Sequence, residues 1–211
     1  SGNSNFANLW ILGQPLSVYW GFQSQGIFQY EDTIPGKGIL ATYYWQKAGN
    51  RTNVNYQPGR IRIEDVNKDS SFSPADRKIL GSHNADYTLS IGNTLTYKNF
   101  DLNVFLQFSY GNDVFNGSRL YLESLQGGDN QTTAVLRRWT QPGDITDVPR
   151  ATNDPVKAGA NKRVSSRFIE DGSYLRLKNL TFGYNVNKAL ISKLHISSLR
   201  FYASAQNLLT F

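Results

Sequence analysis

Apolar and polar residues alternate along two adjoining stretches of this chain with almost no interruption. Tyr87, Leu89, Ile91, Leu95 and Tyr97 occupy one parity of 87–97, and Thr88, Ser90, Thr94 and Thr96 the other. After Lys98-Asn99 the pattern resumes, with Phe100, Leu102, Val104, Leu106, Phe108 and Tyr110 opposite Asp101, Asn103, Gln107 and Ser109. Phe105 is the one exception on the polar side. A period of two predicts strands with one apolar face, and the short break predicts a hairpin. Each apolar row begins and ends on an aromatic residue and spans 11 residues, the length a tilted strand needs to cross a bilayer between aromatic girdles. The same pattern also fits a hairpin in a soluble sandwich, its apolar face over a core.

A second pair of strands is predicted near the end of the sequence. Leu175 and Leu177, then Leu180, Phe182, Tyr184 and Val186, change parity near Lys178-Asn179, which predicts a β-bulge. A turn over 187–196 leads to a last strand marked by Leu199, Phe201, Ala203 and Ala205. Nearer the start, Leu16–Phe22 is strand-like, and Thr42–Gln46 is a short aromatic cluster between Gly-Pro turns. Residues 111–172 form a long polar stretch in which Thr132–Trp139 predicts a short helix capped by its threonine. A connection this long is foreign to a compact soluble domain but ordinary on a transmembrane barrel.

Composition narrows the classes. Hydrophobic residues make up 39% of the 211, and no apolar run approaches the roughly 18 residues of a membrane helix, which excludes a helical membrane protein but not a barrel. The absence of cysteine excludes disulfides, thiolate metal sites and a cysteine nucleophile. There is no methionine, even at position 1, and no signal peptide, so the chain is read as processed or as a piece of something longer. The net charge of +6 does not predict nucleic-acid binding: residues 113–171 carry eight basic and eight acidic side chains, and Arg137-Arg138 and Lys162-Arg163 are only pairs.

One segment has the spacing of a cation loop. Asp65, Asn67, Asp69 and Ser73 supply oxygen at loop positions 1, 3, 5 and 9, Ser71 a backbone carbonyl at position 7, and Asp76 a carboxylate at position 12, as in an EF-hand. Bound Ca²⁺ there would clip a loop. Ser70 stands where the motif prefers glycine, and Asp76 where it prefers a bidentate glutamate. His83 and His195 have no ligand spacing around them, and Glu170-Asp171 would point to opposite faces of a strand rather than make a glycosidase pair. No catalytic residue is predicted.

Several ordered blocks carry a family likeness: Arg60–Asp69, Asp76–Gly81, Tyr97–Leu102, Ser109–Asn116, Pro149–Asp154, Ser165–Leu180 and Gln206–Phe211, with looser ones at Gly13–Pro15 and Gly26–Phe28. Together they resemble the SusC/RagA-type TonB-dependent outer-membrane transporters. The resemblance implies the C-terminal part of a plugged barrel that imports oligosaccharides or peptides beneath a SusD-like lipoprotein lid. A barrel of about 22 strands at about 10 residues each needs about 220 residues in strands alone, so this chain cannot close one. Nothing in it resembles the plug or the segment that engages TonB.

The resulting expectation is an all-β fold: antiparallel transmembrane β-barrel strands with long extracellular loops, a partial barrel in the outer membrane of a Gram-negative cell. Residues 1–60 are an aromatic-rich strand and loop region, 61–82 the EF-hand-like loop, and 83–211 barrel strands with the extracellular loop 111–172. Lipid meets the apolar face and the lumen meets the Thr/Asn/Gln face. Lys98-Asn99 lies on the periplasmic side, and Tyr43, Tyr44 and Trp45 are candidates for stacking on a sugar ring. The alternative is a soluble, extracellular, calcium-stabilised β-sandwich that binds carbohydrate. What the apolar strand faces touch separates the two.

Overall fold

The computed structural model describes residues 8–33, 57–69, 72–125, 130–153 and 161–211. Tyr43, Tyr44, Trp45, Ser70 and Ser71 lie outside the described residues. The chain divides into two compact units, one of residues 1–83 and 114–170, the other of 84–113 and 171–211. The three segments read from sequence (1–60, 61–82 and 83–211) run in chain order. The compact units do not, because most of the long connection 111–172 packs with the N-terminal region.

In the first unit, strands β1 (Asn8–Leu9), β2 (Val18–Phe22) and β5 (Arg77–Ser82) form a three-stranded antiparallel sheet, and β3 (Ser24–Ile27) pairs with β4 (Ile61–Ile63). Apolar clusters among the described residues hold it. Tyr19 and Val164 pack with Leu80, Phe115 and Ile169; Ile27 and Ile61 pack with Trp139; Leu125 packs with Val135 and Val148. The long polar connection is therefore folded, with Trp139 and Val148 buried inside it.

The helix expected at Thr132–Trp139 is a five-residue 3-10 turn, Thr133–Arg137, and its threonine does not cap it. The Thr132 carbonyl accepts the Val135 N–H, while the buried Thr132 hydroxyl makes no hydrogen bond.

The second unit is one antiparallel sheet. β6 (Tyr87–Tyr97) and β7 (Phe100–Tyr110) form the expected hairpin, both strands with the bounds read from the alternation. Two further short strands, β8 (Asp113–Phe115) and β9 (Ile169–Asp171), pair where the chain passes between the units. Then come β10 (Tyr174–Asn185) and β11 (Arg200–Thr210), joined through a four-residue helix, α1 (Lys188–Ile191), and a 3-10 turn. The strand order is β11-β10-β7-β6.

Register carries the apolar rows straight across the sheet. Tyr97, Phe100, Tyr184 and Phe201 are aligned at one end, followed by Leu95, Leu102, Phe182 and Ala203. Asn93, Val104, Leu180 and Ala205 make the middle row, then Ile91, Leu106, Leu177 and Leu209. Aromatic clusters close both ends: Phe100 stacks on Phe182 at 5.6 Å and meets Tyr184 at 4.8 Å, and Tyr87 stacks on Tyr110 at 5.2 Å. Leu89 and Ile91 are each 52% exposed and Leu95 58%, so this face is not the covered interior of a sandwich.

The predicted bulge is present. Between Leu177 and Asn179, β10 inserts Lys178 against β7, and β11 in turn spends three steps, Leu209 to Gln206, on the same interval. Asn207 takes up the irregularity with φ +51°, a conformation that asparagine tolerates better than most residues.

On the polar face, Asp101 pairs with Arg200 across Gly183. A Cβ on Gly183 would lie 2.5 Å from Asp101 Oδ1 and 2.6 Å from Arg200 Nη2, so only glycine lets the ion pair lie flat on the strand. Replacing Gly183 with alanine is expected to displace this pair and lower the thermal midpoint of the full-length protein by a few degrees. Gly92→Ala, which adds a Cβ at an ordinary 3.5 Å from Phe105, should leave the midpoint nearly unchanged. Equal midpoints for the two variants would refute the assignment.

Candidate functional site

The polar face of the four-stranded sheet is a connected surface. Asn103 Nδ2 donates to Thr94 Oγ1 at 2.9 Å, Thr181 and Ser204 share a hydroxyl–hydroxyl bond at 2.9 Å, and Ser204 Oγ donates to Asn179 Oδ1 at 3.4 Å. Toward the hairpin end, Asp101 accepts from Arg200 and from Asn185 Nδ2. Because successive side chains point to opposite faces, the alternation that makes one side apolar aligns these hydroxyls, amides and charges on the other. Near the bulge, Asn103, Phe105, Lys178, Asn179, Gln206 and Asn207 line a depression of about 410 Å³. None of these six was singled out as a site in the sequence. The available signals were Phe105 breaking the alternation and the parity change at Lys178-Asn179.

The first unit is organised by charge. Arg119, in the helix α2 (Gly117–Leu122) that Asn116 caps through its side-chain oxygen, pairs with Glu123 at 2.9 Å, Asp147 at 2.9 Å and Glu170 at 3.4 Å, and donates to the Arg167 carbonyl. Burial works against the Arg119 charge, but the hydrogen bond to Glu123 and the fields of Glu123 and Asp147 outweigh it and raise its pKa. Arg167 reaches the same Glu123 oxygen at 2.7 Å, and burial depresses its pKa despite that carboxylate. Among the described residues of 113–171, Arg119, Arg137 and Arg167 pair with Glu123, Asp147 and Glu170, and Glu170 serves Asn116 and Arg119 rather than a catalytic pair. Arg163 lies over the Phe72 ring at 4.3 Å, and burial pushes its pKa down to about 10. Asn161, fully buried, donates to the Ser124 and Arg150 carbonyls and accepts from Arg60, tying three distant segments together.

The Asp65–Asp76 loop is held by its own hydrogen bonds. The Asp76 side chain, with the residue 1% exposed, accepts the backbone N–H of Val66 at 3.1 Å and of Ser73 at 2.8 Å. Asn67 and Asp69 bond to each other, and Ser73 caps the 3-10 turn Pro74–Asp76 in a reciprocal capping box. The flanks Ile61–Ile63 and Arg77–Ser82 are strands rather than the paired helices of an EF-hand. Among the described residues, no three acidic or histidine side chains converge on a metal-sized point. In these bonds Asp76 faces its own backbone.

No family model matches the chain. It is 36% identical over 199 residues to TonB-dependent receptor P3 of Formosa agariphila, covering 94% of this chain and 18% of that protein. It is 27% identical over 209 residues to TonB-dependent receptor P26 of the same organism, covering 99% of this chain and 19% of that protein. Among solved structures, the RagAB peptide importer in its open-open state is similar at TM-score 0.68 and 22% identity, over 100% of this chain and 20% of that one. The closed-closed state gives TM-score 0.66 and 20% identity, over 100% of this chain and 21% of that one. The chain spans about a fifth of the length of the curated relatives it matches. These likenesses agree with the two-faced sheet: the chain is homologous to a segment of TonB-dependent receptors, and its fold is that of a partial antiparallel β-barrel similar to part of the RagAB assemblies.

Proposed function

We propose that the receptor containing this chain actively imports oligosaccharides across the outer membrane, drawing energy from TonB through a region outside this chain. The carrying observation is the four-stranded sheet itself: one face apolar and ringed by aromatics at both ends, the other a hydrogen-bonded polar surface suited to a lumen. The chain supplies wall and surface rather than catalysis. Solute crosses the wall's inner side without bond cleavage. A SusD-like lipoprotein seats on the side of the long connection 111–172. In support, β6 and β7 are joined by the tight turn Lys98-Asn99 at one end of the sheet, whereas at the other end the chain leads from β7 to β10 through the charged, folded unit built around Arg119. Peptides are the competing cargo, since the similar RagAB assemblies are peptide importers.

Sidedness is tested by labelling, which the absence of cysteine makes clean within this chain. Ile145, 102% exposed, and Lys98, in the hairpin turn, are each replaced by cysteine in the full receptor in intact cells. A membrane-impermeant maleimide is expected to modify Ile145→Cys at once and Lys98→Cys only after the outer membrane is opened. The reverse order would invert the proposed topology. Uptake of labelled oligosaccharide, lost on deleting either the receptor or its lipoprotein, would support the cargo and the partner. Uptake of peptides alone would correct the cargo.

A further inference from the structure

The polar-face depression at the bulge has the make-up of a solute-contact site. We propose that it is a wall subsite for an acidic oligosaccharide in transit: a pyranose ring stacks on Phe105, the surrounding amides bond its hydroxyls, and Lys178 pairs with its carboxylate or sulfate. This deepens the import reading and rests on it.

The argument starts from the oddity of Phe105, an aromatic ring on a face otherwise made of hydroxyls, amides and charges. The ring lies against Gly92 of the neighbouring strand, where an added Cβ would sit 3.5 Å from Cδ2, so the strand backbone supports the ring. Packing of this kind fixes an aromatic platform at low entropic cost. Two of the surrounding amides are also fixed. Asn103 gives an N–H to Thr94 and Asn179 accepts from Ser204, and both residues line the depression, where the Asn103 oxygen can accept from a guest and the Asn179 NH₂ donate to it. Gln206 and Asn207 complete the rim.

Amides both donate and accept, as sugar hydroxyls do. The apolar C–H face of a pyranose suits a single ring. Lys178 is the inserted residue of the bulge, and re-aiming a side chain is what bulges beside functional sites do. The patch contains no carboxylate to receive a peptide's ammonium, and its one formal charge is positive, which selects an anionic guest. Its volume, about 410 Å³, falls in the range of small-ligand sites.

The test uses the intact receptor with its lipoprotein, extracted in detergent, and measures binding by calorimetry. The probes are oligogalacturonate, oligoalginate and a sulfated carrageenan tetramer, with xylotriose, maltotriose and trialanine as comparisons. Binding of an acidic probe, weakened on the order of tenfold or more in both Phe105→Leu and Lys178→Gln, is expected, tenfold being the scale of one charge-assisted contact. For Lys178→Gln the residual binding should also lose most of its salt dependence. An acidic probe bound equally by wild type and both variants overturns the subsite and leaves glycan import standing. Binding of trialanine alone overturns the subsite together with the proposed cargo, and binding of none of the acidic probes overturns the subsite. If the variants lower the receptor's thermal midpoint but not its affinity, the patch seats another part of the receptor, and the inference also fails.

Discussion

Replacing Glu123 with alanine is expected to open the first unit by about 3–5 kcal/mol, the usual result of removing one partner of a buried ion pair. The side chains of Arg167 and Glu123 are 3% and 5% exposed, and one carboxylate oxygen receives both Arg167 Nη2 and Arg119 Nε. Among the described residues, Glu123 is the carboxylate hydrogen-bonded to Arg167. The Arg167 Nε and Nη1 are already buried without hydrogen-bond partners, so losing Glu123 strands the whole guanidinium. Burial depresses the Arg167 pKa, yet a guanidinium does not give up its proton near neutral pH, and the charge stays where it is. Arg119 has Asp147 and Glu170 to fall back on. The measurement is native-state proteolysis within residues 114–170 of the extracted receptor, where a loss of this size should raise cleavage on the order of a hundredfold or more. Glu123→Leu combined with Arg167→Met removes both charges and should recover most of the loss. If Glu123→Ala changes cleavage less than threefold, the ion pair does not organise this unit.

How much of the molecule could be read from sequence depended on whether a strand faces two media or one. β6 and β7 were legible to the residue because each alternates between two environments over 11 positions, and the parity change at Lys178-Asn179 located the bulge for the same reason. The first unit has no such period. Its strands are two to six residues long, and its contacts join residues far apart in the chain, as Asn161 joins Ser124, Arg150 and Arg60. Local pattern cannot encode those contacts. Of its buried network, only the i,i+4 pair Arg119–Glu123 left a trace. The Asp65–Asp76 loop is the opposite case. Its oxygen spacing was plain, but where the oxygens point was not, and Asp76 turns inward to its own backbone amides. Phe105 stood out in sequence only as an exception, and its meaning came from Gly92 beneath its ring.

The lipid-facing side of the sheet gives the second large effect. Arginine at Val104, in the middle row between Asn93 and Leu180, is expected to cost about 2–4 kcal/mol, whereas arginine at Tyr97, in the terminal aromatic row, should cost about 0–1 kcal/mol. The asymmetry is a matter of depth. At mid-bilayer the guanidinium has no water within reach, while at the rim it extends into the headgroups. Exposure in the chain itself orders the two sites the same way and has to be separated from depth. Both lie on the same face, Tyr97 is 70% exposed, and Val104 is half-buried by its neighbours on β6 and β10. A third variant controls for strand disruption: Asn103→Arg places the same side chain one residue away on the polar face, where water is available. Assembly is read as the heat-modifiable, folded fraction of full-length receptor in outer-membrane preparations. The expected order is Asn103→Arg and Tyr97→Arg close to wild type, with Val104→Arg reduced on the order of tenfold or more, since each 1.4 kcal/mol is a factor of ten. Equal assembly of Val104→Arg and Asn103→Arg would mean that the apolar face does not meet lipid. Equal loss for Val104→Arg and Tyr97→Arg would mean a covered protein core, where the penalty follows packing rather than depth in the membrane.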